Sequence, residues 1–234
     1  MKLTYITFTG IDEHTDLSRV KYLNERYPYV EFGVLLSYNW KDNGHRFPNP
    51  RICEALAELD IGHFSAHLCG QAAIDVAKGD DSASIALGGG YFFIFSRCQL
   101  NLCARGMFDD LRKVLPPLFC REVIVQMNTP ELCRQYLSGG SPEKMSFLLD
   151  ASGGRGIDTP INIVTSPGIH IGYAGGIGPD NVEMKLRKLL EYPSNESFWI
   201  DMETRVRTDD DWLDLDKVER VLEICAPIIN SLNN

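Results

Sequence analysis

Short apolar runs rich in Val, Ile, Phe and Tyr recur along the chain, separated by stretches of helical period and by polar punctuation. Runs of this length, bounded by turn residues and alternating with helix-period segments, are the pattern of repeated strand–helix units. The pattern predicts eight strands: LTYITFTG (3–10), VEFGVLLS (30–37), HFSAHLC (63–69), RCQLNLC (97–103), EVIVQMN (122–128), MSFLLDA (145–151), IHIGYAGG (169–176) and SFWIDME (197–203). Helices are expected around 16–27, 49–60, 71–78, 108–119, 130–138, 179–191 and 214–229. The last two are the clearest. Val182, Leu186, Leu189 and Leu190 make one apolar stripe, and Leu215, Val218, Val221, Leu222 and Cys225 make another. Pro179 suits the first turn of its helix. Residues 38–50 read as a long polar loop, and in 80–95 the glycines 88 to 90 interrupt any period.

Eight such units in 234 residues, with no linker or low-complexity tract, describe a single (β/α)8 TIM barrel over residues 1–234. An open doubly wound sheet usually has fewer strands.

Composition narrows the partners rather than the fold. A formal charge of −9 leaves little basic surface for nucleic acid or an anionic membrane, so neither is expected as a partner. A small anionic substrate needs only a few local donors and stays open. No charged stretch followed by an apolar core marks a secretory signal near Met1, and no apolar run approaches a membrane span. The seven cysteines are odd in number and scattered, which reads as reduced thiols in a cytoplasmic protein; no spacing suits a structural metal, and none is expected.

Barrel enzymes place their chemistry at the C-terminal ends of the strands and often hold phosphate in the loops after strands seven and eight. Two glycine loops fall there. Asp150 ends strand six and is followed by Gly153, Gly154, Arg155 and Gly156; Gly175 and Gly176 end strand seven, ahead of Gly178 and Pro179. Bare backbone N–H groups at such turns and at a helix N-terminus suit an anion. A lone glycine turn would be ordinary, whereas two after neighbouring strands point to a phosphate cradle of Gly154, Arg155, Gly156, Gly175 and Gly176.

TGI (9–11), QLNL (99–102), FLLDASGGRG (147–156), YAGGIGPDNV (173–182) and WIDMETRV (199–206) resemble, in order, motifs of phosphoribosylanthranilate isomerase, the barrel enzyme of tryptophan biosynthesis. The resemblance implies an Amadori rearrangement of an N-linked ribose 5-phosphate. It makes Asp150 the general acid on the ribose ring oxygen, whereas Asp150 taken by itself also fits a capping or salt-bridging role. The family's general base is a cysteine at the end of strand one, where this chain has Thr9. A threonine hydroxyl is no base near neutral pH without a partner to take its proton. Asn101 replaces a histidine, and Glu203-Thr204-Arg205 replaces a turn of small residues, so that Arg205 is needed to neutralise Glu203 beside a phosphate.

Asp201, at a strand-eight position where the family also carries aspartate, is the best-placed second carboxylate. Arg46 and Arg51 are candidates to clamp a substrate carboxylate, or are solvated charges. His63 and His67 share a strand face and read as structural residues more readily than as metal ligands, and Cys69 as a buried small residue. The expectation is therefore a phosphosugar-binding isomerase that works by acid–base chemistry without a cofactor, as a monomer or homodimer. A barrel that keeps the anion site but has lost catalysis is the alternative. A Schiff-base lyase ranks last, because no expected strand ends in lysine.

Overall fold

The computed structural model describes residues 1–42, 44–80, 82–102, 120–138, 144–194 and 196–231. Eight parallel strands close into a barrel in sequence order: β1 (Lys2–Thr9), β2 (Val30–Leu36), β3 (Phe64–Cys69), β4 (Phe95–Asn101), β5 (Glu122–Met127), β6 (Met145–Leu149), β7 (Ile171–Tyr173) and β8 (Ser197–Met202). β1 closes the ring, with Thr7 aligned to Glu31 on one side and to Asp201 on the other. Around the barrel lie α1 (Leu17–Arg26), α2 (Ile52–Ala57), α3 (Gln71–Ala77), α4 (Ser82–Gly88), α5 (Pro130–Ser138), α6 (Val182–Leu190) and α7 (Leu215–Asn230).

Successive strand side chains point to opposite faces, and the sequence uses the two faces differently. Phe8, Phe32, Val34, Ala66, Leu100, Phe147 and Ile200 face outward and join Val20, Leu23, Leu186, Val218 and Leu222 of the helices in the main core. The opposite parity fills the barrel. Such interiors are usually packed with branched apolar side chains, but here Ile124, Leu148 and Trp199 form only a small apolar cluster. Below them Arg97 is almost fully buried, donating from Nη1 to Glu31 Oε1 and from Nε to Glu122 Oε2, each at 2.9 Å. Its guanidinium lies 4.2 Å from the Trp199 ring centre and 5.0 Å from that of Tyr5. Burying this charge is tolerable because two carboxylates and two aromatic faces surround it.

All eight expected strands are present, with ends shifted by a few residues. β7 is the most shortened, because after Tyr173 the chain turns through glycines in left-handed geometry. The stretch 80–95 contains α4 and a 3-10 turn at Phe92–Ile94, which periodicity did not reveal. Only Ala83 and Leu87 anchor α4 by the usual four-residue spacing, too little to register as a stripe. α6 begins at Val182 rather than at Pro179: Gly178–Asn181 form a turn in which Asn181 Oδ1 accepts from the Gly178 N–H at 3.0 Å. The helix expected at 108–119, and Cys103, lie outside the described residues.

Candidate active site

The C-terminal strand ends surround a cavity of about 790 Å³. Its walls divide by strand. Loops after β6, β7 and β8 supply Gly153, Gly154, Gly156, Gly175, Gly176 and Arg205, whereas β3, β4 and β5 supply His67, Cys69, Gln99, Asn101 and Gln126.

At the end of β6, the Asp150 carboxylate anchors its own loop. Oδ1 accepts from the Ser152 N–H at 3.0 Å and the Ser152 hydroxyl at 2.7 Å; Oδ2 accepts from the Gly154 N–H at 2.6 Å and from Gln126 Nε2 at 2.9 Å. Aspartate commonly closes a turn this way. Four donors stabilise the ionised form, so the geometry makes Asp150 a poor proton donor while keeping it in the cavity wall.

The neighbouring loop is different. Gly175 (φ 106°) and Gly176 (φ 62°) turn the chain so that successive N–H groups converge. The N–H groups of Gly156, Gly175, Gly176 and Ile177 donate to no group among the described residues, and all four residues line the cavity. Gly176 is required here for space as well as for φ, since a Cβ would lie 2.5 Å from the backbone of Ile157 and Asp158. Buried behind the loop, Lys185 of α6 donates to Gly175 O at 3.1 Å and Thr159 O at 2.8 Å and pairs with Asp158 at 2.7 Å. The ammonium thus straps the two glycine loops together.

β8 supplies the titratable centre. Asp201 is buried, and burial raises its pKa to about 8 despite the hydrogen bond from Thr9 Oγ1 at 2.9 Å; the negative charges of Glu203, Glu31 and Asp150 push the same way. Thr9 also lies 3.4 Å from His67 Nε2, which is 3.1 Å from Ser65 Oγ. Burial, helped by the charge of Arg97, lowers the His67 pKa to about 3, so its imidazole is neutral. Gly33 makes room for this contact: a Cβ there would meet Thr9 Oγ1 at 2.7 Å and His67 Nε2 at 2.9 Å. Cys69 is an unreactive thiol, pushed up to about 12 by burial.

Thr9, Asp150, Asp201 and the cradle glycines are thus brought to one region, while the arginines are redistributed. Arg46 Nη1 donates to Glu203 Oε1 at 2.7 Å and its Nε to Asp211 at 2.9 Å, so the corner after β8 is neutralised by Arg46 and not by Arg205. Arg51 is exposed at the start of α2 and lines a separate depression with Trp40 and Tyr91. Arg155 also lies outside the cavity lining, its Nε donating to Ser152 O at 2.7 Å. Sequence reading missed Arg205 as a lining cation and Gln99 and Gln126 as lining amides; inward parity on their strands would have flagged the two glutamines. Among the described residues no group of three His, Cys, Asp or Glu side chains could hold a metal, and no helix is long and apolar enough to cross a membrane.

Together, fold and cavity define a (β/α)8 barrel with a polar, partly acidic pocket at its C-terminal mouth. In fold the chain resembles phosphoribosylanthranilate isomerases along nearly its whole length. The enzyme from Thermus thermophilus superposes with a TM-score of 0.62 at 18% identity, over 97% of this chain and 100% of that one. That from Pyrococcus furiosus gives 0.55 at 16% identity, over 96% and 99%. Engineered monomers of the dimeric enzyme from Thermotoga maritima give 0.53 at 12% identity, over 95% and 98%. No protein-family model and no curated protein matches the chain.

Proposed function

We propose that the cavity binds a phosphosugar and that the protein is an acid–base enzyme of the aldose–ketose isomerase type. The observation that carries this reading is the set of uncommitted N–H groups at Gly156, Gly175, Gly176 and Ile177, with Arg205 on the same wall, in the same cavity as a carboxyl group that keeps its proton near neutral pH. The phosphate occupies the loop side. Asp201, protonated at neutral pH, gives its proton to the sugar ring oxygen, and Thr9 orients that carboxyl group. Glu203, held by Arg46, is the carboxylate left to accept a proton from carbon. Asp150 shapes the phosphate loop, and Arg155 reinforces it from outside. A binding protein without catalysis is the second reading, favoured by Thr9, whose hydroxyl is already spent as a donor to Asp201.

Thermal denaturation with increasing inorganic phosphate tests the anion site. A ligand that binds only the folded state raises the melting temperature with concentration. Wild type should show such a shift, and Arg205→Ala, at an exposed side chain, should weaken phosphate roughly tenfold by losing a charge-assisted hydrogen bond. Absence of any shift in wild type at millimolar phosphate would sink the reading.

A further inference from the structure

On the side of the cavity away from the glycine loops, β4 presents Gln99 and Asn101, and β3 presents His67 and Cys69. In an eight-stranded closed barrel β4 stands across the axis from β8, so these side chains face whatever extends from a phosphate held at the far loops. Gln99 is 3% exposed. Its Nε2 donates to Asn101 Oδ1 at 2.9 Å, which fixes the amide orientation, and its Oε1 has no hydrogen-bond partner. A buried acceptor left unpaired costs about 1–3 kcal/mol, so such a group in a ligand cavity asks for a donor.

The charges around it point the same way. Arg205 is the one cationic side chain among the described lining residues, and it stands at the loop side, its Nε 3.4 Å from Gly156 O. Asp150, Asp201 and Glu203 line the same cavity. Arg46 is already committed to Glu203 and Asp211, and Arg51 lies elsewhere. A ligand carboxylate at the β3–β4 side would meet the Gln99 carbonyl oxygen and no cation among the described residues.

We propose that Gln99 Oε1 accepts a hydrogen bond from a neutral hydroxyl or amide N–H at the end of the ligand remote from phosphate, so that the ligand is a phosphosugar whose far end carries no carboxylate. This deepens the phosphosugar reading and rests on it. It also separates the pocket from one built for a carboxylate-bearing aromatic amine.

Ribitol 5-phosphate and 5-phosphoribonate test it, since they share a carbon chain and phosphate and differ in a terminal hydroxymethyl against a carboxylate. Calorimetric titration of the wild-type protein should give ribitol 5-phosphate the tighter binding by roughly tenfold, about the difference between one hydrogen bond made and one opposed. In Gln99→Met, close in volume, that margin should narrow several-fold; the chain's overall negative charge acts equally in both proteins, so the change isolates the side chain. Equal or tighter binding of 5-phosphoribonate by wild type overturns the proposal without any variant. A margin unchanged in Gln99→Met overturns the assignment to Gln99. Inorganic phosphate, run alongside, separates the two failures: if it and both sugars are silent, the phosphate site itself is wrong and this inference falls with it.

Discussion

Two aspartates at neighbouring points of one cavity have opposite chemistry, and the difference lies in what donates to them. Asp150 accepts from two backbone N–H groups, a hydroxyl and an amide; Asp201 accepts from Thr9 while facing other negative charges in a buried position. A pKa raised by folding favours the native state at low pH and stops doing so as pH rises. The contribution of Asp201 is fully present below its ordinary value of 3.8 and is lost as pH climbs through about 8. Asp201→Asn should therefore flatten the decline of melting temperature between about pH 5 and pH 8. Asp150→Asn should instead lower stability by about 1–3 kcal/mol at neutral pH, because an amide NH2 would face the Gly154 N–H or Gln126 Nε2. Melting curves of the two variants across that pH range check both, and a flat wild-type profile would remove the argument for a protonated Asp201.

The element that most changes meaning in three dimensions is the long loop after β2. It is tied across the barrel mouth to the segment after β8 by Arg46, while the Asn49 N–H donates to Glu13 Oε1 at 2.6 Å in the loop after β1. His14 stacks on Trp212 at 3.8 Å between ring centres, and His45 packs on the same indole at 3.9 Å. Three loops are thus fastened over one side of the cavity, with Phe47 in its lining. Arg46→Ala leaves Glu203 without its main counter-charge and should cost about 1–3 kcal/mol. Limited proteolysis should cut within residues 38–50 faster than in wild type; unchanged cleavage there would show that the aromatic contacts alone hold the loop.

For the whole molecule, stability depends on charge inside the barrel as well as on the apolar layer outside it. Arg97→Leu strands Glu31 and Glu122 in the interior and should cost about 3–5 kcal/mol, the range for breaking a buried ion pair from one side. Burial pushes Glu122 up, but the hydrogen bond from His170, the charge of Arg97 and a hydrogen bond from Ser146 outweigh it and hold the carboxyl down to about 2. A depressed carboxylate adds stability above its unfolded value, and this is lost on acidification. The loss should begin below 4.5 and be complete as pH falls through about 2. Urea midpoints at neutral pH and near pH 3 would show the acid sensitivity in wild type and its reduction in Arg97→Leu. Equal midpoints for the two proteins at neutral pH would mean that the interior relaxes around the lost charge.

Periodicity alone determined the eight strands, their parallel order and the apolar stripes of α6 and α7, because those features repeat over many residues and local spacing encodes them. It also placed Thr9, Asp150, Asp201 and the two glycine loops at strand ends, where the closed barrel brings them around one cavity. Tertiary structure decided the rest. That Arg46 faces Glu203 across 157 positions of sequence, that Asp150 is satisfied by Gln126 of the neighbouring strand, and that the Gln99 acceptor is left unpaired are matters of which strands and loops meet. Charge and hydrogen-bond balance at a buried group depend on all its neighbours in space, and no local pattern in the chain records them.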